Sequence, residues 1–344
     1  MIKIIASGLF CFCALLLIGA ALWSRSSPPL SEENEKIIQS LMSSPIPNML
    51  EGESGFAQSG ALRIWYTVKH PSAKSGQRPR GAVLLINGLG ASAAFWPAEI
   101  YQPLLEAGYQ VILSDHRGVG ESDRVENWSK SNSYDLGDMA NDNLAVLDTL
   151  GIKKAHVLGL SLGGMIGQEM AIHHPERVLS LSSVMSTAYL EDPAIPVSRD
   201  FQINTMKLFL RYGLFNSEEN MVRLMVGLYS YLKGDQDIDI RHIGLATRFE
   251  LSQRRGFNHS LPDQQSTAIA RSGSRLAQLP KLTVPVLAVH GDSDPLLNIE
   301  HARKYATLIP RHESLWLEGM GHDLAPAYVS RWIARAVQFM DAHQ

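Results

Sequence analysis

The chain is nearly free of cysteine: Cys11 and Cys13 are its only two, and both sit inside the apolar N-terminal stretch. The body beyond them therefore carries no disulfide and no thiolate chemistry, a composition compatible with an oxidising compartment. Charge of one sign is missing too. Against 31 Lys and Arg stand 34 Asp and Glu, a formal net charge of -3. No basic excess points to nucleic acid and no acidic excess to disorder. None of the 12 histidines stands at the spacing of a zinc ligand set, His173-His174 included. The loop Asp115-His116-Arg117-Gly118-Val119-Gly120-Glu121-Ser122 lacks both the G-x-G-x-x-G spacing and any Gly-Lys-Ser/Thr, so it reads as a structural turn network, not a nucleotide site. The expectation is no metal, no cofactor and no nucleic-acid partner.

What is present begins with an apolar run at 4–23, preceded by Lys3 and interrupted only by small or weakly polar residues. Roughly 20 apolar residues are enough to cross a bilayer. A cleaved signal usually has a shorter core and a small-residue cleavage site. Residues 1–25 are expected to export the chain, as a cleaved signal peptide or a retained membrane anchor, with the body periplasmic or extracellular. Residues 26–54, rich in Ser, Pro and Glu with one helical pattern at 33–42, read as a linker and the first edge of the domain.

From residue 61 strands and helices alternate. Apolar strand runs lie at 62–68, 82–86, 109–113, 155–160, 178–184, 285–289 and 314–317. Helical spacing appears at 134–150, 162–173 and 322–340, and in the pattern that ends at Leu105. Continuous apolar strands alternating with amphipathic helices predict an α/β fold, a mostly parallel sheet covered on both faces. The stretch 187–283 breaks this rhythm with several helical patterns carrying Phe201, Met206, Phe209, Tyr212, Phe215, Met225, Tyr229 and Phe249. It reads as a helical cap inserted between 55–186 and 284–344, most of its aromatics packing the cap itself.

The sharpest signal is Gly159-Leu160-Ser161-Leu162-Gly163-Gly164, a G-x-S-x-G turn between a strand and a helix. Such a turn projects the serine oxygen above the sheet, and small neighbours let other chains pass close. It also sets the Leu162 N–H at a helix N-terminus, where it can stabilise an oxyanion. A neutral serine needs a base, and with this elbow the partners follow in the order acid, then His. His322, in Gly319-Met320-Gly321-His322-Asp323, follows the last strand. The acid lies in His290-Gly291-Asp292-Ser293-Asp294-Pro295, with Asp294 the candidate and Asp292 the competitor that caps the turn. The second oxyanion donor is expected from Asn87-Gly88-Leu89-Gly90, at the Leu89 N–H. Phe95 and Trp96 follow as residues that either line the acyl pocket or pack against the sheet.

Together these residues resemble the α/β-hydrolase superfamily over roughly residues 55–342. Within it the chain is similar to the capped carboxylesterases, and most to the methylesterases related to aclacinomycin methylesterase. The likeness rests on Tyr134-Asp135-Leu136 with Asp138-Met139-Ala140, on the stretch from Ala155 to Ile166, on His174-Pro175-Glu176-Arg177-Val178, on Ser183-Val184-Met185-Ser186-Thr187 and on Gly319-Met320-Gly321-His322-Asp323-Leu324. Where that family usually has His before the oxyanion-loop Gly, this chain has Asn87. The resemblance implies the α/β-hydrolase fold and an esterase that acts on a small-molecule ester, and the apolar cap suits one with an acyl or aromatic part. Two other functions are weighed beside it. A proline iminopeptidase-type enzyme would need cap carboxylates for a free amino terminus, among Glu218, Glu219, Asp235, Asp237 and Asp239. A non-catalytic ligand-binding protein would tolerate loss of Ser161.

Overall fold

The alternation of apolar strands and amphipathic helices resolves into one sheet with helices on both faces. The computed structural model describes Trp23 and residues 30–72, 79–214 and 217–344. The rest of the expected signal or anchor, and Phe215, lie outside the described residues. Among the described residues no helix is long and apolar enough to cross a membrane.

In chain order the elements are α1 (Glu32–Met42), β1 (Glu53–Ser59), β2 (Leu62–Lys69), β3 (Ala82–Ile86), α2 (Ala98–Glu106), β4 (Gln110–Ser114), α3 (Leu136–Thr149), β5 (Ala155–Leu160), α4 (Leu162–His173) and β6 (Val178–Val184). The cap follows as α5 (Arg199–Leu208) with a π-helical turn (Phe209–Gly213), then α6 (Glu218–Leu232), α7 (Ile240–Gln253) and α8 (Leu261–Ser272). The core resumes with β7 (Val286–Gly291), α9 (Glu300–Ala306), β8 (His312–Leu317) and α10 (Pro326–Asp341).

The eight strands run in the order β1-β2-β4-β3-β5-β6-β7-β8. β1 and β2 pair antiparallel, as do β2 and β4, and every pair from β4 to β8 is parallel. Side chains alternate across the strands. Val83, Leu85, Leu158, Leu160, Leu287 and Val289 join α2 and α10 on one face. Leu84, Ile86, Val157, Val286 and Ala288 join α3, α4 and α9 on the other. Both sides of the central strands are thus dry, which accounts for their unbroken apolar runs.

Three features differ from the expectation. The stretch read as a linker at 26–54 forms the helix expected at 33–42 and the start of β1, but the helix is packed and not a tether. Ser31 caps α1 by accepting from Asn34 N at 3.1 Å, while Ile38 and Leu41 are fully buried. Arg223 Nε on α6 donates to Glu35 at 3.0 Å, and Arg248 Nη1 on α7 donates to Ser44 O at 2.8 Å, so α1 rides on the cap. Second, the last helix starts at Pro326, not His322, because Asp323 accepts from Ala325 N at 2.7 Å and Pro supplies the first helical position. His322 is therefore in a loop. Third, α9 between β7 and β8 had no clear periodic signal in its 7 residues.

Candidate active site

The three expected catalytic side chains follow the C-terminal ends of parallel strands: Ser161 follows β5, Asp294 follows β7 and His322 follows β8. That edge is where ligand crevices open in such sheets.

Ser161 stands between β5 and α4 at φ 51°, ψ -112°, a conformation disfavoured for any residue with a side chain. Its surroundings hold it there. Ser161 N donates to Val184 O at 2.9 Å, and Ser186 Oγ donates to Ser161 O at 2.7 Å. Close passage explains the glycines: a Cβ on Gly163 would fall 2.0 Å from Ile86 O, and one on Gly159 would fall 2.3 Å from Gly163 O. Leu162 begins α4, and the first N–H groups of a helix have no intrahelical acceptor.

His322 Nδ1 lies 2.7 Å from Asp294 Oδ2. With a carboxylate against it, Nδ1 carries the proton and Nε2 keeps a lone pair. The Asp294 side chain is fully buried and richly bonded. Its Oδ1 accepts from Leu296 N at 2.8 Å and Leu297 N at 2.7 Å, and its Oδ2 also faces His290 Nε2 at 3.0 Å. Burial alone would raise its pKa most strongly. The His322 imidazole, with hydrogen bonds from His290 and His322, overrides this and holds the carboxyl well below the usual carboxylate range. Asp292 does something else: its Oδ1 accepts from Gly319 N at 2.8 Å and so fastens the His322 loop.

The sequence did not disclose His290. It is fully buried, and its Nε2, close to both Asp294 and Leu297 O at 2.9 Å, carries the proton because both neighbours accept.

The loop Asn87–Gly90, expected to carry the second oxyanion donor, packs over Ser161: a Cβ on Gly88 would lie 3.6 Å from Ser161 Cβ. Asn87 Nδ2 donates across the loop to Ser92 O at 2.7 Å, and the N–H groups flanking Leu89 are engaged, Gly88 N by Asn87 Oδ1 at 2.9 Å and Gly90 N by Gln265 Oε1 at 2.8 Å. Further ties come from α7. Ser92 Oγ donates to Glu250 Oε1 at 2.5 Å, Arg254 Nη1 donates to the same oxygen at 2.8 Å, and Arg254 pairs with Asp115. Asp115 Oδ1 in turn accepts from Ala93 N at 2.9 Å. Burial, the largest influence, pushes the Glu250 carboxyl above its ordinary value despite Arg254. The turn network read from the sequence is thus the anchor of this loop. Gln265, Glu250 and Arg254 are neighbours of the candidate site that local spacing gave no means of finding.

The far end of α6 clamps the His322 loop. His322 N donates to Leu232 O at 2.8 Å, Asp235 N donates to Gly319 O at 2.9 Å, and Asp323 Oδ2 accepts from Gly234 N at 2.9 Å. Gly234 is required for this contact, since a Cβ there would fall 1.9 Å from Gly319 O.

Phe95 and Trp96 part company. Phe95 stacks on Tyr229 with centroids 6.2 Å apart and lines a small recess with Pro97, Tyr229, Ile238, Ile243 and Leu324, the last two residues beyond His322. Trp96 is buried in the core on the α2 side. The cap acids are mostly engaged. Glu218 pairs with Arg248, Glu219 with Arg223 and Asp237 with Lys233, and Asp235 accepts from Tyr328. Asp239 accepts from His242 N at 2.9 Å and borders the recess.

The sequence pattern of the family described as alpha/beta hydrolase fold matches residues 81–325, and the chain belongs to that family. Over 276 residues it is 33% identical to rhodomycin D methylesterase DauP of Streptomyces sp. (strain C5), covering 74% of this chain and 89% of the relative. It is 30% identical, with the same coverage, to rhodomycin D methylesterase DnrP of Streptomyces peucetius. The chain is a hydrolase of this methylesterase-like branch. Among solved structures, proline iminopeptidase of Mycobacterium smegmatis is similar with a TM-score of 0.62 and 21% identity, over 85% of this chain and 98% of that one, a likeness of fold alone.

Proposed function

We propose that the protein is a serine carboxylic ester hydrolase that works through an acyl-enzyme on Ser161. Ser161 Oγ attacks the acyl carbon while His322 Nε2 takes its proton. Asp294 holds the imidazole in the tautomer that leaves Nε2 free and stabilises the imidazolium that forms. The Leu162 and Leu89 N–H groups receive the developing oxyanion. His322 then hands the proton to the leaving alcohol, and the acylated serine remains. Water, deprotonated by His322, attacks the acyl carbon, and the proton returns to Ser161 as the acid leaves. The chemistry requires no cofactor.

The observation that supports this most is the His322–Asp294 bond, made by loops that leave the same edge of the sheet as the strained Ser161 turn. The substrate is a small-molecule ester, in keeping with the two methylesterase relatives. The pairing of most cap acids within the cap favours an ester over a peptide with a free amino terminus.

Hydrolysis of p-nitrophenyl esters of graded acyl length, by the full chain and its Ser161→Ala variant, tests the reading. Turnover that vanishes in the variant is expected. Turnover that survives in it, or faster release from aminoacyl p-nitroanilides than from any ester, would contradict the proposal.

A further inference from the structure

The cap's first helix has two apolar faces, and only one of them is packed. Leu208 and Tyr212 are buried, with Leu208 seated against α6, where a Cβ on Gly227 would fall 2.9 Å from Leu208 Cδ2. The other side carries Ile203, Met206 and Phe209 at helical spacing, continued by Leu214 beyond the π-helical turn. Met206 is 52% exposed and Leu214 57%. Four of the large hydrophobic side chains that the described residues expose to solvent thus gather within 12 positions. Scattered singly they would need no explanation, but a contiguous patch marks a partner.

We infer that this face docks on a lipid bilayer. The first reason is where the chain leads. The apolar run of the sequence at 4–23 is long enough to cross a bilayer and ends at Trp23, and the Trp23 ring lies under the Lys207 ammonium of α5, 5.4 Å from it. The patch therefore sits beside the residue at which the apolar run ends. The second is charge. Arg199, Lys207 and Arg211 flank the patch against a single acid, Asp200. An apolar face edged by basic residues is the composition of a helix lying at the interface of an anionic membrane. Tryptophan with lysine beside it is the usual furnishing of that boundary. Ile203, Met206, Phe209 and Leu214 enter the acyl boundary, while Lys207 reaches back to the headgroups.

The test uses the full chain with Cys11→Ser and Cys13→Ser, so that one introduced thiol takes an environment-sensitive fluorophore. The thiol is placed by Met206→Cys or, as the remote control, by Lys154→Cys at the opposite end of the sheet. In vesicles of phosphatidylglycerol and phosphatidylcholine, the label at 206 is expected to shift to the blue. It should also be quenched by spin-labelled lipid and shielded from iodide, while the label at 154 stays water-like. A label at 206 that remains iodide-accessible on vesicle-bound protein would overturn the inference. So would failure of the chain to bind the vesicles. A blue shift that grows with protein concentration in the absence of lipid would assign the face to a second copy of the chain and overturn it equally.

Discussion

Ser161 is held in backbone that costs on the order of 1–3 kcal/mol, and its glycines leave no slack. Gly163→Ala would drive a Cβ to 2.0 Å from the Ile86 carbonyl. A loss of stability above about 2 kcal/mol is expected, read as a lower denaturant midpoint with unchanged slope. His290 is the other residue whose part is defined by contact. Its Nε2 meets Asp294 at Oδ2, the same oxygen that faces His322 Nδ1, so it acts as a positioning residue for the carboxylate. His290→Leu is expected to lower kcat on the order of tenfold, well short of the loss that follows removal of the acid itself. KM should stay near its original value, and His290→Gln, which keeps a donor at the same reach, should restore most of the rate. A purely packing role would show no such rescue. That Asp294 and His322 meet, at the sheet edge from which Ser161 also rises, was legible because each of the three lies in a short motif at a strand end. Gln265 and Glu250 were not: their partners Gly90 and Ser92 lie 175 and 158 residues away in sequence, and no local pattern records such a contact.

The helices inserted between β6 and β7 tie down the loops around the candidate site. α7 and α8 fasten the oxyanion loop through Glu250, Arg254 and Gln265, while the end of α6 fastens the His322 loop through Leu232 and Gly234. Gln265→Leu leaves the Gly90 N–H without its acceptor and frees the neighbouring Leu89 N–H to drift. The expected result is a fall in kcat of about tenfold with KM nearly unchanged, less than the 10²–10³ lost when an oxyanion donor is removed outright. An equal rise in KM with kcat intact would mean that Gln265 acts on substrate binding instead. At this scale the core strands were read almost to the residue, because burial on both faces writes itself as an apolar run. The failures have local causes. α9 is short, α10 is started by Asp323 and Pro326, and α1 buries only Ile38 and Leu41, too few positions to distinguish a docked helix from a tether.

For the whole molecule, acid sensitivity follows from buried titrating groups. His156 is fully buried, with Nδ1 against Ser180 Oγ at 2.8 Å and its ring edge-on to Tyr109, and burial depresses its pKa to about 4. Between the ordinary value near 6.5 and that figure, the unfolded chain binds a proton that the folded chain refuses. Stability from this residue is therefore complete above about pH 6.5 and is lost as the pH falls toward 4, by on the order of 3 kcal/mol. Asp294, depressed like His156, adds a further loss below the ordinary carboxylate range near 4. Denaturant midpoints from pH 8 to pH 4 should fall less steeply for His156→Asn than for the parent. Parallel curves would assign the acid sensitivity elsewhere.

The measurement that bears most directly on the account is where a fluorophosphonate bonds. Displacement of its fluoride by an activated serine leaves a stable phosphonyl ester, readable by peptide mass spectrometry. The account expects one adduct, on the peptide that holds Ser161, formed in step with loss of ester turnover and absent from Ser161→Ala. An adduct on another residue, or full turnover with Ser161 unmodified, would contradict it.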